Sequence, residues 1–369
     1  MKSPRELWLL ARPYLLVFDP TLTAVLTMIT LISCVTMYSA ALDFPGRFDG
    51  HVRNLLLAFV VMWIAANVNP TLLLRIAVPV YLAGLALLIA VALFGDVSKG
   101  ARRWLHVGVT RIQPSEVMKI AMPLMLAWYF QRREGILYWY DFAIAAALLL
   151  IPTYLIARQP DLGTSILVFA AGAYVIFLAG LKWRVILALL IAAAASAPLL
   201  WTVMKEYQRQ RVLTLLDPTS DPLGKGFHII QSTIAVGSGG IWGKGWTQGT
   251  QTHLEFIPER TTDFIFAVFA EEFGLIGAGV LLLLYLSLIS RGFVISASAG
   301  TVFQRLLAGA VSLSFFTYVF VNMGMVTGIV PVVGVPLPIM SYGGTALVTL
   351  ALGLGILMSI SRHRKLVQT

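Results

Sequence analysis

The chain has 369 residues, is 58% hydrophobic and only 12% charged, and carries a formal net charge of +10. Soluble domains are about 25% charged, so this composition excludes an ordinary soluble protein and specifies an integral membrane protein. In such a chain a positive excess speaks first of orientation and anionic lipid, and nucleic acid is not an expected partner.

The apolar runs are continuous and lack the alternation of barrel strands, so the expected class is all-α. At roughly 20 apolar residues per span, the chain forms a single polytopic bundle of about ten transmembrane helices, one membrane domain over residues 1–369. At the start, Trp8-Leu9-Leu10-Ala11 is too short for a cleavable signal and is broken by Arg12-Pro13, so it reads as an interfacial segment. The predicted spans are 21–41, 53–69, 73–94, 114–130, 141–157, 163–180, 185–203, 263–290, 304–324 and 337–360. Cys34, the only cysteine, lies in the first, which excludes an internal disulfide or a cysteine metal site.

An even number of spans puts both termini on one side. Basic clusters make that side cytoplasmic: Lys2, Arg5 and Arg12; Arg132 and Arg133; Lys182 and Arg184; Arg291; Arg362, Arg364 and Lys365. Between the third and fourth spans, residues 95–113 break this rule on the outer face with Lys99, Arg102, Arg103 and Arg111. Two readings stand: a site for an anionic ligand such as a lipid phosphate or diphosphate, or docking to anionic headgroups.

The fourth span opens with Glu116 and Lys119 on one helix face. Charges inside a span face a bundle interior or cavity, so the pair is a structural ion pair, a site wall, or both. Arg158-Gln159-Pro160-Asp161-Leu162-Gly163 makes a tight outer turn into the sixth span. Asp161 there either caps the helix or stands near the later acids as a second acid or cation ligand.

Residues 203–262 form a large extracytoplasmic loop, polar in an otherwise oily chain, with Arg209, Arg211, Lys225, Lys244 and Arg260. Membrane proteins keep connections short unless a loop has a task. It ends in Pro258-Glu259-Arg260-Thr261-Thr262-Asp263. Asp263 has two readings. Thr262 can cap the next helix with Asp263 complementing its dipole, or Asp263 is a reactive carboxylate at the membrane surface. The second conflicts with the first, because a helix N-terminus lowers a carboxylate pKa and weakens a base. Asp263 would then need partial desolvation or a bound divalent cation. Glu271 and Glu272, deeper in that span, read as partners of a buried cation or of Asn322, or as groups sharing a face with Asp263. Pro331, Pro336 and Pro338 around Gly334, followed by Ser341-Tyr342-Gly343-Gly344, read as a kinked outer segment walling a cavity.

Several chemistries are excluded. The glycines at 237–245 lack a complete phosphate-loop pattern. The five histidines show no ligand spacing, and no nucleophile elbow appears. No nucleotide is expected at an outer face.

Six motifs resemble the SEDS family (shape, elongation, division and sporulation). They are Gly100-Ala101-Arg102-Arg103-Trp104-Leu105; Gln113-Pro114-Ser115-Glu116 with Lys119; Gln159-Pro160-Asp161-Leu162-Gly163-Thr164; Tyr207-Gln208-Arg209-Gln210-Arg211; Pro258-Glu259-Arg260 with Thr262-Asp263-Phe264; and Ser341-Tyr342-Gly343-Gly344. Gly226 to Ser232 and Gly243-Lys244-Gly245-Trp246 look most like the rod-elongation branch. The resemblance implies a peptidoglycan glycosyltransferase of the bacterial cytoplasmic membrane. It would polymerise lipid II into β-1,4 glycan at the periplasmic face, with a class B penicillin-binding protein and other elongation-complex membrane proteins as partners. It also implies that Asp263 is catalytic and that Arg103, Trp104, Glu116, Lys119 and Asp161 matter for activity. Thr261 departs from the pattern, standing where close relatives often carry His, and is taken as peripheral.

On that reading Asp263 deprotonates or orients the acceptor hydroxyl, alone or with Mg²⁺ or Mn²⁺. Arg102, Arg103, Arg111, Arg211 and Lys119 are the candidates to stabilise the departing undecaprenyl diphosphate. The rival readings are a lipid II flippase and a scaffold for a transpeptidase.

Overall fold

The computed structural model describes residues 17–98, 101–107, 110–159, 161–204, 206–220, 225–254, 257 and 259–363. In chain order the elements are α1 (Pro20–Ala40), α2 (Arg47–Asn67), α3 (Pro70–Phe94), β1 (Asp96–Ser98), β2 (Ala101–Val107), β3 (Thr110–Ile112), α4 (Pro114–Arg132), α5 (Trp139–Arg158), α6 (Leu162–Leu178) and α7 (Trp183–Val203). They continue as α8 (Glu206–Leu216), a 3-10 turn Pro218–Ser220, α9 (Lys225–Ser238), α10 (Thr250–His253), α11 (Ile265–Ala297), α12 (Val302–Val326) and α13 (Gly344–Arg362).

Seven of the described helices, α1, α2, α3, α5, α11, α12 and α13, are long and apolar enough to cross a membrane. Their lipid-facing sides stay apolar in the open, as at Leu56, Phe59, Leu72 and Leu283. The chain is a multi-pass helical membrane protein.

The helix starts follow local chemistry. Pro20 and Pro70 open α1 and α3, where a missing amide proton costs nothing, and Asp19 and Asn69 cap them through Leu22 N and Thr71 N. Asp19 does more than cap. Its two oxygens accept from Arg291 Nε and Nη2 at 3.0 and 2.7 Å, and Ser361 Oγ donates to it at 3.0 Å. Burial pushes its carboxyl up, but these bonds and the Leu22 amide outweigh burial and hold it below the usual range. One carboxylate thus joins the start of α1 to α11 and α13.

Packing runs α13 along α2, α11 along α12, α3 along α4, and α12 against α6 and α4. Small residues permit this, as they must where lipid gives no hydrophobic drive between helices. A Cβ at Gly355 of α13 would fall 2.4 Å from the Met62 carbonyl of α2.

Four expectations need correction or completion. The class is not purely α, because residues 96–112 hold a three-stranded antiparallel sheet in the order β1-β2-β3, in which Trp104 pairs with Asp96 and Arg111 with His106. The polar stretch 203–262, expected as a large loop with no fold assigned, carries the helices α8, α9 and α10. The tenth predicted span begins at Gly344, not 337, since Leu337–Gly343 is non-helical and bonds back on itself through Ser341. The eighth does not begin at 263. Its helix is capped at Phe264, runs from Ile265 to Ala297 and breaks at Gly274, whose φ of 64° and ψ of −163° suit glycine alone. Chain from residues 239–245 enters that break: Lys244 N and Gly245 N donate to the Glu271 and Glu272 carbonyls, and Leu275 N and Ile276 N to those of Gly240 and Ile241.

Candidate active site

Asp263 lies two residues before α11, between the Glu259–Thr262 turn and the Phe264 cap. Thr262 does not cap the helix. Its hydroxyl donates to Glu259 Oε2 at 2.8 Å, and the cap position makes no side-chain bond. The expected conflict therefore resolves against the helix dipole. No described residue hydrogen-bonds the Asp263 carboxylate, and its carboxyl is pushed up to about 6 by burial and then by the neighbouring Glu259 charge. A carboxylate in that range is a competent proton acceptor near neutral pH.

The backbone around it is held from three directions. Asn322 of α12 donates from Nδ2 to the carbonyls of Asp263 and Val335, both at 2.8 Å. Ser341 Oγ donates to the Thr262 carbonyl at 2.6 Å, and Tyr342 N to that of Thr261 at 2.8 Å. Arg260, 1% exposed, donates from Nε to Ala40 O, from a second nitrogen to Thr252 O, and from a third to Asp43 at 2.5 Å, with its guanidinium over the Phe44 ring. Gly334, at φ 77°, lies against the carboxylate: a Cβ there would stand 3.3 Å from Asp263 Oδ2.

The same 331–343 segment is tied to α1 and α2. Ser33 Oγ donates to the Ile339 carbonyl at 2.9 Å and so accepts from the buried His51 Nε2 at 2.8 Å. Tyr285 donates to Pro338 O at 2.6 Å. Ile339 holds φ 67°, costly for a β-branched residue, and these bonds keep it there.

The other predicted residues fall as follows. Glu116 and Lys119 are an ion pair at 2.6 Å, with Thr349 Oγ1 donating to Glu116 at 3.1 Å and Lys119 Nζ 5.5 Å from the Tyr318 ring centre. Lys119, with Tyr318 and Thr349, lines a cavity of about 30 Å³, room for one water. Asp161 caps α6 through Thr164 N at 3.2 Å and accepts from Gln113 at 3.0 Å. Its turn abuts the Asp263 wall, since a Cβ at Gly163 would meet Val333 O at 2.7 Å. Trp104 is half-buried on β2, which packs on α3 and α4. Arg102 and Arg103 lie on β2, Arg111 on β3 and Arg211 on α8; their side chains lie outside the described residues, as do Lys2, Arg5, Arg12, Lys99, Pro160, Pro258, Arg364 and Lys365.

Three loop cations serve the fold. Arg209 donates to the carbonyls of Trp201 and Thr202, Lys244 pairs with Glu271 at 2.7 Å, and Arg260 is buried as described. Glu271 has its expected cation, but Asn322 does not bond it. Sequence reasoning named Asn322 and Ser341 but not their role, which is to fix the backbone on either side of the Asp263 carboxylate. An amide inside an apolar span was the available signal for the first; the second needs contacts across 79 residues. Among the described residues no group of three or more His, Cys, Asp or Glu is arranged to hold a metal.

Comparison with known proteins identifies the family. The family described as "Cell cycle protein", FTSW_RODA_SPOVE, matches residues 14–366. The chain belongs to the FtsW/RodA/SpoVE family of membrane proteins. It is 51% identical over 350 residues to "Peptidoglycan glycosyltransferase MrdB" of Escherichia coli K12, covering 95% of each chain. Among solved structures it resembles one described as "Structural coordination of polymerization and crosslinking by a peptidoglycan synthase complex", with TM-score 0.82 and 35% identity, over 95% of this chain and 100% of that one. It also resembles the Rod shape determining protein RodA of Thermus thermophilus, with TM-score 0.71 and 29% identity, over 95% and 98% of the two chains.

Proposed function

We propose that this peptidoglycan glycosyltransferase polymerises lipid II by one inverting displacement in which Asp263 is the general base. The protein has the activity of its relatives; the residue roles are our reading. The observation that carries it is the unbonded, partly buried Asp263 carboxylate on a fixed backbone, with a carboxyl near 6. The acceptor's 4-hydroxyl gives its proton to Asp263 as its oxygen bonds the donor's anomeric carbon. The carbon–diphosphate bond breaks, and undecaprenyl diphosphate leaves. Arg102, Arg103 and Arg111 on the sheet, with Arg211 on α8, are the candidates to meet its charge; Trp104 on the same strand as Arg102 and Arg103, Asp161 at the start of α6 and the Glu116–Lys119 pair of α4 are the further candidates to contact substrate.

A divalent cation fits incompletely. Asp263 and Glu259 supply two carboxylates, so Mg²⁺ or Mn²⁺ would need the diphosphate and water for its other ligands. Bound there, it would add charge stabilisation. No step requires it.

Ten spans with both termini cytoplasmic and Asp263 periplasmic complete the reading. Support comes from α4, α6 and α7, which occupy the three remaining predicted spans, and from the basic loops at the opposite end from Asp263. A class B penicillin-binding protein is the proposed partner, in keeping with the coupled polymerisation and crosslinking described for the structural relative.

Purified lipid II in detergent tests this. Glycan strands are expected from the wild type and lost by at least about 100-fold in Asp263→Ala. Activity near wild type in that variant overturns the role of Asp263. Absence of strands from the wild type, alone and with its penicillin-binding protein, favours the flippase or scaffold.

A further inference from the structure

At the end of α12 away from Asn322, about 30 Å from the Asp263 site at 1.5 Å per residue, lies a second cleft of about 280 Å³. It opens between the end of α4, the residues that follow it, the end of α6 and the start of α12. The partly exposed Leu137 and Leu178 line it over the buried Phe130 and Leu306, and Arg133, Glu134 and Arg305 line it with charge. The charges are unequally spent. Arg133 Nε lies 3.3 Å from the buried Asp141, and Glu134 accepts from Gln131 at 2.7 Å. Arg305 forms no hydrogen bond or ion pair through its guanidinium with any described residue.

The surroundings say what approaches this cleft. Tyr138, Trp139, Tyr140 and Trp183 stand exposed beside it, Trp139 at 80% and Trp183 at 67%. Aromatic rings so placed mark the headgroup level of a bilayer. Arg132, Lys182 and Arg184 add exposed positive charge on the same face. A volume near the lower end of ligand pockets, about 300 Å³, takes a phosphate and its glycerol, not a whole acyl chain.

We infer that this cleft is a binding site for the headgroup of an anionic phospholipid, with Arg305 meeting the phosphate, Arg133 flanking it and the glycerol and first acyl carbons lying against Leu137 and Leu178. Basic recesses between membrane helices hold anionic headgroups by this combination of charge and apolar footing. The ligand holds together the ends of α4, α6 and α12, the three helices that carry Lys119, Asp161's cap and Asn322 at their other ends.

The test is native mass spectrometry of the full-length protein released from nanodiscs of phosphatidylglycerol, phosphatidylethanolamine and phosphatidylcholine in equal parts. The wild type is expected to retain phosphatidylglycerol over both others. Arg305→Gln is expected to lose about fivefold in retention, the ratio equivalent to about 1 kcal/mol for one basic residue at the surface. Arg305→Lys keeps most of it. Val302→Trp, which fills the cleft without changing charge, loses retention too, and Arg184→Ala, outside the cleft, keeps it. Equal retention of the three lipids overturns the site. So does an Arg184→Ala loss matching that of Arg305→Gln, which would mean diffuse surface attraction. Displacement of the lipid by millimolar glycerol phosphate assigns the cleft to a soluble anion and also overturns it.

Discussion

Asp263 and Glu271 are two carboxylates eight positions apart on one stretch of chain, and their surroundings are opposite. Glu271 is fully buried and saturated: it accepts from Lys244, the Thr250 and Thr252 hydroxyls and the amides of Gln251 and Thr252. Asp263 has a tightly bonded backbone and a bare carboxylate. A buried acid with every lone pair met is a fastener, because its charged form is already stabilised. An acid with a fixed backbone and an unmet side chain retains its affinity for a proton. The difference separates scaffold from chemistry without appeal to residue type.

Substitutions sharpen that contrast. The largest expected effect is on stability at Glu271. Glu271→Ala leaves the Lys244 ammonium without its counter-ion and the amides of Gln251 and Thr252 unpaired around a cavity, at a cost of about 3 kcal/mol or more, read as a lower melting temperature in detergent. Asp263→Asn is expected to change stability in the other direction. The folded carboxyl is raised from 3.8 to about 6, so ionising it costs stability as pH rises through that window. The relief is absent below about pH 4 and complete above about pH 6. At about 1.4 kcal/mol per unit its ceiling is about 3 kcal/mol, reduced by solvent at the partly open carboxylate. A melting temperature unchanged or lowered in Asp263→Asn at pH 7.5 would break the comparison. Ser341→Ala removes the bond to the Thr262 carbonyl, at about 1–2 kcal/mol. It is expected to lower kcat with little change in KM, since the bond positions Asp263 and does not touch substrate. The smallest effect is expected at Thr261→Ser, because Thr261 is 2% exposed, contributes its carbonyl to Tyr342, and Ser adds no volume there; polymerisation within about threefold of wild type checks it.

Much of this was legible in the chain. Continuous apolar runs marked the helices to within a few residues wherever capping residues such as Asp19 and Asn69 stood at their starts. Asp263 drew attention as the acid closing a polar stretch. What escaped depended on distant partners. Lys244 and Thr252 saturate Glu271, Asn322 fixes the backbone of Asp263, and no local pattern assigns those partners. The sheet at 96–112 escaped because its strands are three to seven residues long and amid basic residues. The break at Gly274 escaped because a single glycine in an apolar helix is common in membranes. Cations proved the weakest guide: Arg209, Lys244 and Arg260 are all engaged within the fold.

The central claim is that an unmet Asp263 carboxylate takes the acceptor proton. Its most direct test is the pH dependence of kcat/KM for lipid II polymerisation by the wild type and Asp263→Asn. The wild type should lose activity as pH falls through about 6, and Asp263→Asn should be at least about 100-fold slower at pH 7.5 and flat across that range. A variant near wild-type rate, or one that keeps the same acid limb, would contradict the claim.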